Sequence, residues 1–490
     1  MSGANTDRQR RNALLLVLLT LAARCVAAAA GADTPTTALL AAPTSASAAA
    51  LPEPAAGPAV AAAPVGADSR WPQLLAAQYT FIEQWQSALL SPYAGTHSLF
   101  AGGDQQPTHT LGAYTGWAPV SWGQLYLDVE KFMGAGVSGA TGLGGLTNGD
   151  VIRAGVVGLK KEFYIARLYA RFMVPLGSET AHLERGQDQI AGVEATRRLE
   201  FKAGWLSAAD DFDHNRYSGS TRTQFLNWSL WQNTTWDYAA DTRGYTYGVV
   251  LGYISPQWSL KYGMYAMPTV ANGQTLETLK RAREQNLELT LAPAAVSTVM
   301  RLLAYLNTAR LGDYREALAV AAAGATVPDI AATAADGRHK YGFGLNLEQP
   351  VADDGNTGVF MRLGWNDAHT ESFAFTEVDR LVSLGAQFSG VHWRRSEDYL
   401  GVALVAGGLS SPHSDYLAAG GSGFLLGDGR LNYAHEQIFG TYYRAGWSWT
   451  LGPAPLHLQL SPDFQYVQNP GFNRDRGPVR FYALRLHLEY

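Results

Sequence analysis

VRFYALRLHLEY, residues 479–490, reads with a period of two. Tyr482, Leu484, Leu486, Leu488 and Tyr490 fall on one face; Phe481, Ala483, Arg485, His487 and Glu489 fall on the other. A β-strand sends successive side chains to opposite sides, so this segment is apolar on one side and charged on the other. Tyr482 to Tyr490 spans roughly 26 Å at ~3.3 Å per residue, or roughly 20 Å once the strand is tilted by ~40°. That nearly matches the apolar band of an outer-membrane barrel, with one aromatic ring at each interface. Taken alone, the segment reads more simply as the last strand of a soluble antiparallel sheet, so its neighbours decide.

The same alternation returns from Thr110 onward. Leu125, Leu127 and Val129 oppose Gln124, Asp128 and Glu130; Leu199, Phe201 and Trp205 oppose Glu200, Lys202 and Gly204. Trp258, Leu260, Tyr262 and Met264 oppose Ser259, Lys261 and Gly263; Val359, Met361, Leu363 and Trp365 oppose Arg362, Gly364 and Asn366. Tyr443, Trp447 and Trp449 oppose Arg444, Gly446 and Ser448. Trp and Tyr gather towards the strand ends, as in an aromatic girdle, and the strands exceed the soluble mode of about five to six residues.

The connections supply a second signal. From residue 244 onward short ones (Ser255–Gln257, Pro293–Ser297, Ala352–Gly355, Gly452–Pro453) alternate with long ones (Met267–Arg283, Ala309–His339, Asp367–Glu377, Ser410–Ala434). Short periplasmic turns and longer outer loops are what a transmembrane barrel requires. Before residue 244 the parity weakens, because Gly134–Lys160 and residues 207–243 are both long. The expected fold is all-β, a transmembrane antiparallel β-barrel of about 16 strands with a short N-terminal periplasmic helix.

Composition agrees. Charged residues are only 16% and aromatics 11% of the 490 residues, with 52 glycines, and the charge lies below the share usual in soluble domains. The formal net charge of −5 argues against nucleic acid as a partner. Arg8, Arg10 and Arg11 precede an apolar run, and Ala30-Gly31-Ala32 offers a cleavage site, so residues 1–32 read as a signal peptide. Cys25, the only cysteine, lies inside it, so no disulfide framework or cysteine metal site is expected in the mature chain. Residues 33–68 read as an Ala/Pro-rich flexible linker, 69–106 as an N-terminal helical segment on the spacing of Leu75, Tyr79, Ile82 and Trp85, and 107–490 as the barrel.

The densest polar and aromatic stretch is Ala209–Tyr247. Planar polar groups bind sugar hydroxyls in pairs and aromatic faces stack on sugar C–H surfaces, and this stretch holds both. Folded back into a barrel, it would form a constriction in which Arg216 and Arg222 hydrogen-bond hydroxyls, Trp228 and Trp231 stack on sugar faces, and Asp211 and Asp213 hold the arginines. The bland alternative is a lid whose aromatics pack on the rim. A Ca²⁺ site is disfavoured because the aspartates lack an EF-hand spacing. Lys261, Arg301, Glu348, Arg362, Arg444 and Arg485 are expected to line the pore. No G-x-S-x-G, H-E-x-x-H or phosphate loop occurs. His413, near Ser410, Ser411 and Asp415, is the sole region for a rival reading as a barrel hydrolase; a second rival is an exported, soluble, sheet-rich binding protein.

Several ordered pieces resemble the carbohydrate-selective porin family, the OprB-type porins of Gram-negative outer membranes. They are SPYAGTHSL from Ser91, DDFDHNRYSGSTRTQFLNWSL from Asp210, WDYAADTRGYTYG from Trp236, RLLAYLNTARLGDYREAL from Arg301, YGFGLNLEQP from Tyr341, RLGWND from Arg362, YLAAGGSGFLLGDGRLNYAHEQ from Tyr416 and NPGFNRDRGPV from Asn469. The resemblance covers roughly residues 77–490. It implies a sixteen-stranded barrel that passes monosaccharides or small oligosaccharides by diffusion, with no cofactor and with outer-membrane lipid around it. It also implies that Tyr490 is read by the barrel assembly machinery, and it leaves monomer and homo-oligomer both open. Gly440 departs from the family pattern, standing where a second acid often follows Glu436, and Arg394-Arg395-Ser396 lacks a proline often found there. These departures bear on sugar identity and selectivity more than on the fold.

Overall fold

A computed structural model of the chain describes residues 72–151, 159–451 and 454–490; the expected signal peptide (1–32) and linker (33–68) lie outside the described residues. The strands are β1 (Leu74–Gln86), β2 (Asp104–Val120), β3 (Gly123–Gly134), β4 (Tyr164–Pro175), β5 (Thr180–Leu183), β6 (Gly192–Ala195), β7 (Arg198–Leu206), β8 (Thr246–Ile254) and β9 (Trp258–Ala266). They continue with β10 (Arg283–Leu291), β11 (Val299–Leu311), β12 (Ala335–Ala352), β13 (Thr357–Asn366), β14 (Arg380–Ser389), β15 (Tyr399–Gly408), β16 (Glu436–Leu451), β17 (Ala454–Gln468) and β18 (Val479–Glu489). All but β5 and β6 join one closed antiparallel barrel, each strand beside its neighbour in sequence, with β1 closing on β18.

The period-two alternation sets the wall. In β18, Val479, Phe481, Ala483, Arg485 and His487 are buried inside, whereas Tyr482 and Leu484 face outward. The expected face assignment of the C-terminal strand is the observed one. Outward-facing Trp117, Trp122, Trp258, Trp393 and Trp449 sit at the short-turn end, while Tyr247, Tyr341 and Tyr482 sit towards the long-loop end. Two aromatic belts at the two ends of an apolar wall mark the membrane interfaces. Among the described residues no helix is long and apolar enough to cross a membrane; the strands cross it.

The N-terminal segment corrects the expected helix. Residues 74–86 form strand β1, paired with β18 from Gln78↔Glu489 to Gln86↔Phe481, and the barrel begins at Leu74 rather than at residue 107. Leu74, Ala76, Gln78, Thr80, Ile82, Gln84 and Gln86 are buried inside. Ile82 therefore lies on the face opposite Leu75, Tyr79 and Trp85, and the apparent helical stripe is a coincidence of two periods. The physical reason is edge closure. An unpaired strand edge in lipid leaves backbone groups without partners, and β1 supplies those partners to β18.

The loop parity also becomes regular. The connections that follow β3 and β7 both leave the same end, because between them β4 and β7 are joined at the short-turn end by the insertion 176–197. That insertion carries the β5–β6 hairpin, tucked under the wall. Glu194 forms a two-point ion pair with Arg171 of β4 (2.5 and 2.9 Å), and Arg185 donates to the carbonyl of Leu75 at 2.8 Å. At the other end two helices roof the barrel, Tyr314–Gly324 capped by Asp313 and Ser411–Ala418 capped by Ser410.

Candidate functional site

Residues 207–245 do not cover the rim. They fold back into the lumen and hydrogen-bond inward-facing side chains around almost the whole wall. Asp210 takes a two-point bond from Arg167 of β4, 2.7 Å on each oxygen. Asp211 pairs with Lys202 of β7 (2.9 Å) and Lys261 of β9 (3.6 Å). Trp236 and the Ala239 amide donate to Glu284 of β10 (2.6 and 2.7 Å). Tyr305 and Asn307 of β11 donate to the carbonyls of Thr235 and Asp237, both at 2.7 Å. Asn227 donates to Gln465 of β17 at 3.0 Å. Inward glycines let the loop lie this close: a Cβ at Gly364 would overlap Asn233 and Thr235.

Two arginines define the ends of this arrangement. Arg362 of β13 grips Asp213 through Nε (3.0 and 3.1 Å), and its other nitrogens donate to Ser218 Oγ (2.8 Å) and to the carbonyls of Ser218 (2.8 Å) and Asp213 (3.1 Å). Asn346 donates to Asp213 Oδ1 at 2.7 Å, and the Asp213 amide donates to Glu288 at 2.8 Å. Asp213 adopts φ +56°, so the chain reverses there. Across the lumen, Arg222 leaves the loop towards β2 and β3. It donates to Glu130 (3.2 Å), Tyr114 (3.2 Å) and Asp150 of the 135–163 loop (3.1 Å). That loop zips onto the first through Gly149 N to Leu226 O and Trp228 N to Leu146 O, both at 2.8 Å.

The remaining wall cations hold the tip of the loop. Arg485 donates to the carbonyl of Thr221 (2.7 Å) and Arg444 to that of Thr223 (3.2 Å). Arg301 pairs with Glu348 at 3.1 Å, and the same carboxylate accepts the Arg216 amide at 2.8 Å. The Arg216 side chain lies beside the short turn at Gly355, where the Tyr217 hydroxyl donates to the Gly355 carbonyl at 2.9 Å, so the loop reaches the short-turn end.

A profile described as carbohydrate-selective porin, OprB family, matches residues 141–490. The chain belongs to that family. It is an outer-membrane porin for carbohydrates, and the family and the fold are those of a channel. Among solved structures, an OprB from Pseudomonas putida is similar at 13% identity and TM-score 0.59, covering 85% of this chain and 94% of that one. The outer-membrane channel DcaP of Acinetobacter baumannii is similar at 11% identity and TM-score 0.43, over 85% and 96% of the two chains. A search of curated protein sequences gave no match.

Within this OprB-family porin, the residues singled out from sequence divide into two groups. Arg362, Arg485, Glu348, Asp211 and Asp213 are sealed, Asp213 and Glu348 at 6% exposure and the others at 2% or less, so Arg362, Arg485 and Glu348 do not line the pore as expected; they are anchors. Arg216, Arg222, Trp231, Lys261, Arg301 and Arg444 keep part of their surface open. Asp213 holds Arg362 of the wall and Asp211 holds lysines, so neither aspartate holds Arg216 or Arg222 as expected. Trp228 stacks face to face on Phe375 (5.2 Å, 11°) and lies beside Tyr238 and Trp231, so its ring is occupied by protein. Gly440, the departure noted above, is filled by Leu230 of the loop, which a Cβ would overlap.

Reasoning from sequence missed Glu130, Asp150, Arg167, Asn346 and Phe375. Glu130 was legible as an inward position of β3, but its partner Arg222 is 92 residues away. Phe375 carried no signal beyond lying in a long connection. His413 Nδ1 is bonded to Asp379 at 3.0 Å, but Ser410 Oγ donates to the Ala368 carbonyl at 3.2 Å. His413 is also fully buried, so no serine–histidine nucleophile assembles there.

Proposed function

We propose that this porin selects sugars at the gap left between the loop 207–245 and the wall, with Arg216 and Arg222 from the loop and Lys261, Arg301 and Arg444 from the wall facing the solute. The observation that carries the reading is the loop's circuit of the lumen, bonded to side chains of β2–β4, β7, β9–β14 and β16–β18. Fixed guanidinium and ammonium groups donate hydrogen bonds to hydroxyl oxygens, and the adjoining carboxylates Glu348 and Asp211 hold those donors in place. Trp231, partly open beside Trp228, offers the aromatic surface. Glu348 beside Arg301, and Asp211 beside Lys202 and Lys261, offset part of that positive charge, which keeps the passage open to neutral polyhydroxylated solutes.

Glucose entry into proteoliposomes tests this. Arg216→Ala and Trp231→Ala should each alter the entry rate and weaken competition by a second sugar; unchanged flux and competition in both would sink the assignment. For assembly, we infer that Tyr490 marks the end of the closing strand, where its amide and carbonyl pair with Ala77 at 2.9 and 3.0 Å. Deleting Tyr490 should lower the yield of heat-modifiable barrel, and His487→Ala should not.

A further inference from the structure

Sugar hydroxyls donate hydrogen bonds as well as accept them, so a site made only of arginine and lysine meets half of their chemistry. The carboxylates beside the gap are not free to supply the other half. Asp210 spends both oxygens on Arg167, and Asp211, Asp213, Glu288 and Glu348 are buried beneath protein donors. One side chain of the loop is placed differently. His214 is exposed, although Asp213, Asn215 and Tyr217 beside it are buried.

The backbone around His214 is fixed from the wall. Asn346 of β12 donates to the His214 carbonyl at 3.0 Å and to Asp213 Oδ1 at 2.7 Å. Asn215 donates to the Leu347 carbonyl at 3.1 Å, and the Arg216 amide donates to Glu348 at 2.8 Å. The imidazole stands off this anchored segment and turns back on its own loop, with Nε2 2.7 Å from the carbonyl oxygen of Asp210. A carbonyl only accepts, so Nε2 carries the hydrogen and, in the neutral ring, Nδ1 carries a lone pair. Nδ1 has no hydrogen-bond partner among the described residues. Enclosure by the wall, with the charges of Lys261 and Arg301, lowers the pKa of the ring, which keeps it neutral at neutral pH. Lys261 of β9 and Arg301 of β11, whose charges reach the ring, keep side-chain exposures of 23% and 15%. Donors from two strands and one acceptor from the loop thus open on the same part of the passage.

We propose that His214 is a specificity-determining residue of this porin: its Nδ1 accepts a hydrogen bond from a sugar hydroxyl beside Lys261 and Arg301, and so sets a preference for neutral sugars over sugar acids. The proposal rests on the reading of the gap as the sugar path. A hydroxyl accepts from a cation and donates to Nδ1 at once. A carboxylate accepts from Lys261 and Arg301 but has no hydrogen for Nδ1, and its oxygen faces the lone pair of the ring. The open cations alone would favour the anion; the histidine opposes it with an acceptor that only a hydroxyl can satisfy.

The test uses the full chain in proteoliposomes at neutral pH, with D-glucose and D-glucuronate, the same ring bearing one carboxylate, as the probes. Entry rates of both are measured, and heat-modifiable gel mobility reports an intact barrel. The wild type should favour glucose. His214→Ala should lower the glucose-to-glucuronate ratio about fivefold, the weight of one hydrogen bond, and His214→Arg should lower it further. His214→Gln, whose amide can donate to the Asp210 carbonyl and present an oxygen, should recover most of the preference. A ratio unchanged in both His214→Ala and His214→Arg overturns the inference. So does a His214→Gln ratio as low as that of His214→Ala, or a wild type that passes both probes equally. In each of these cases glucose entry that responds to Arg216→Ala and Trp231→Ala leaves the channel reading standing. Absence of glucose entry in the wild type overturns the channel reading and this inference with it.

Discussion

The two arginines that hold the constriction loop make an instructive pair. Arg362 comes from the wall and is 1% exposed at its side chain; Arg222 comes from the loop and is 20% exposed. Both carry several carboxylate and hydroxyl partners, yet one is enclosed and the other meets the lumen. An enclosed guanidinium can only brace the structure, because no solute reaches it. One with open surface can both brace and bind. The same residue type thus takes two roles, and burial separates them.

The largest expected effect comes from breaking the enclosed side. Arg362→Ala leaves Asp213 without its counter-charge and should cost about 3–5 kcal/mol. The heat-modifiable gel transition should fall in temperature, and the freed loop should raise single-channel conductance. Arg362→Lys should rescue little, since one ammonium cannot serve both oxygens of Asp213, the Ser218 hydroxyl and two carbonyls together. On the open side, Arg222→Ala also strands buried carboxylates, Glu130 and Asp150, and should cost about 3–5 kcal/mol as well. The contrast should appear in permeation: Arg222→Ala should weaken competition by a second sugar and Arg362→Ala should not, and equal effects on competition would remove it.

The tryptophans sharpen the same contrast on a smaller scale. Trp228→Ala should lower stability more than flux, because its ring is packed on Phe375, and Trp231→Ala should do the reverse. The smallest effect is a pH dependence. Burial raises Asp188 to about 6 and Glu371 to about 7. Their folded-state values exceed the unfolded ones, so the folded state binds these protons more tightly and its stability falls as pH rises through 6 and 7. Hydrogen exchange of residues 186–190 and 367–379, corrected for intrinsic rate, should be slower at pH 5 than at pH 8. Faster exchange at pH 5 would reverse the sign.

The wall was legible because a barrel writes its geometry into every strand. Leu484 and Arg485 declare their faces by type, and short turns such as Ser255–Gln257 declare their end. The first strand was not, because Leu75, Tyr79, Ile82 and Trp85 satisfy a helical spacing by chance while the pairing that decides the matter lies at residues 481–489. The loop inside the lumen was legible in its composition but not in its contacts. Crowded aspartates, arginines and tryptophans marked Asp210–Trp231, but local sequence cannot show that Arg362 meets Asp213 149 residues away, or that Phe375 covers the face of Trp228. Site roles follow burial, and burial is set by partners distant in the chain.

The central claim is that residues 207–245 narrow the lumen. His214 is exposed on that loop, and the only native cysteine, Cys25, lies in the expected signal peptide. A His214→Cys porin reconstituted in a planar bilayer and treated with a bulky charged thiol reagent should lose most of its single-channel conductance, and a reducing agent should restore it. Conductance unchanged by a reagent shown by mass to have reacted would place the loop outside the permeation path and contradict the account.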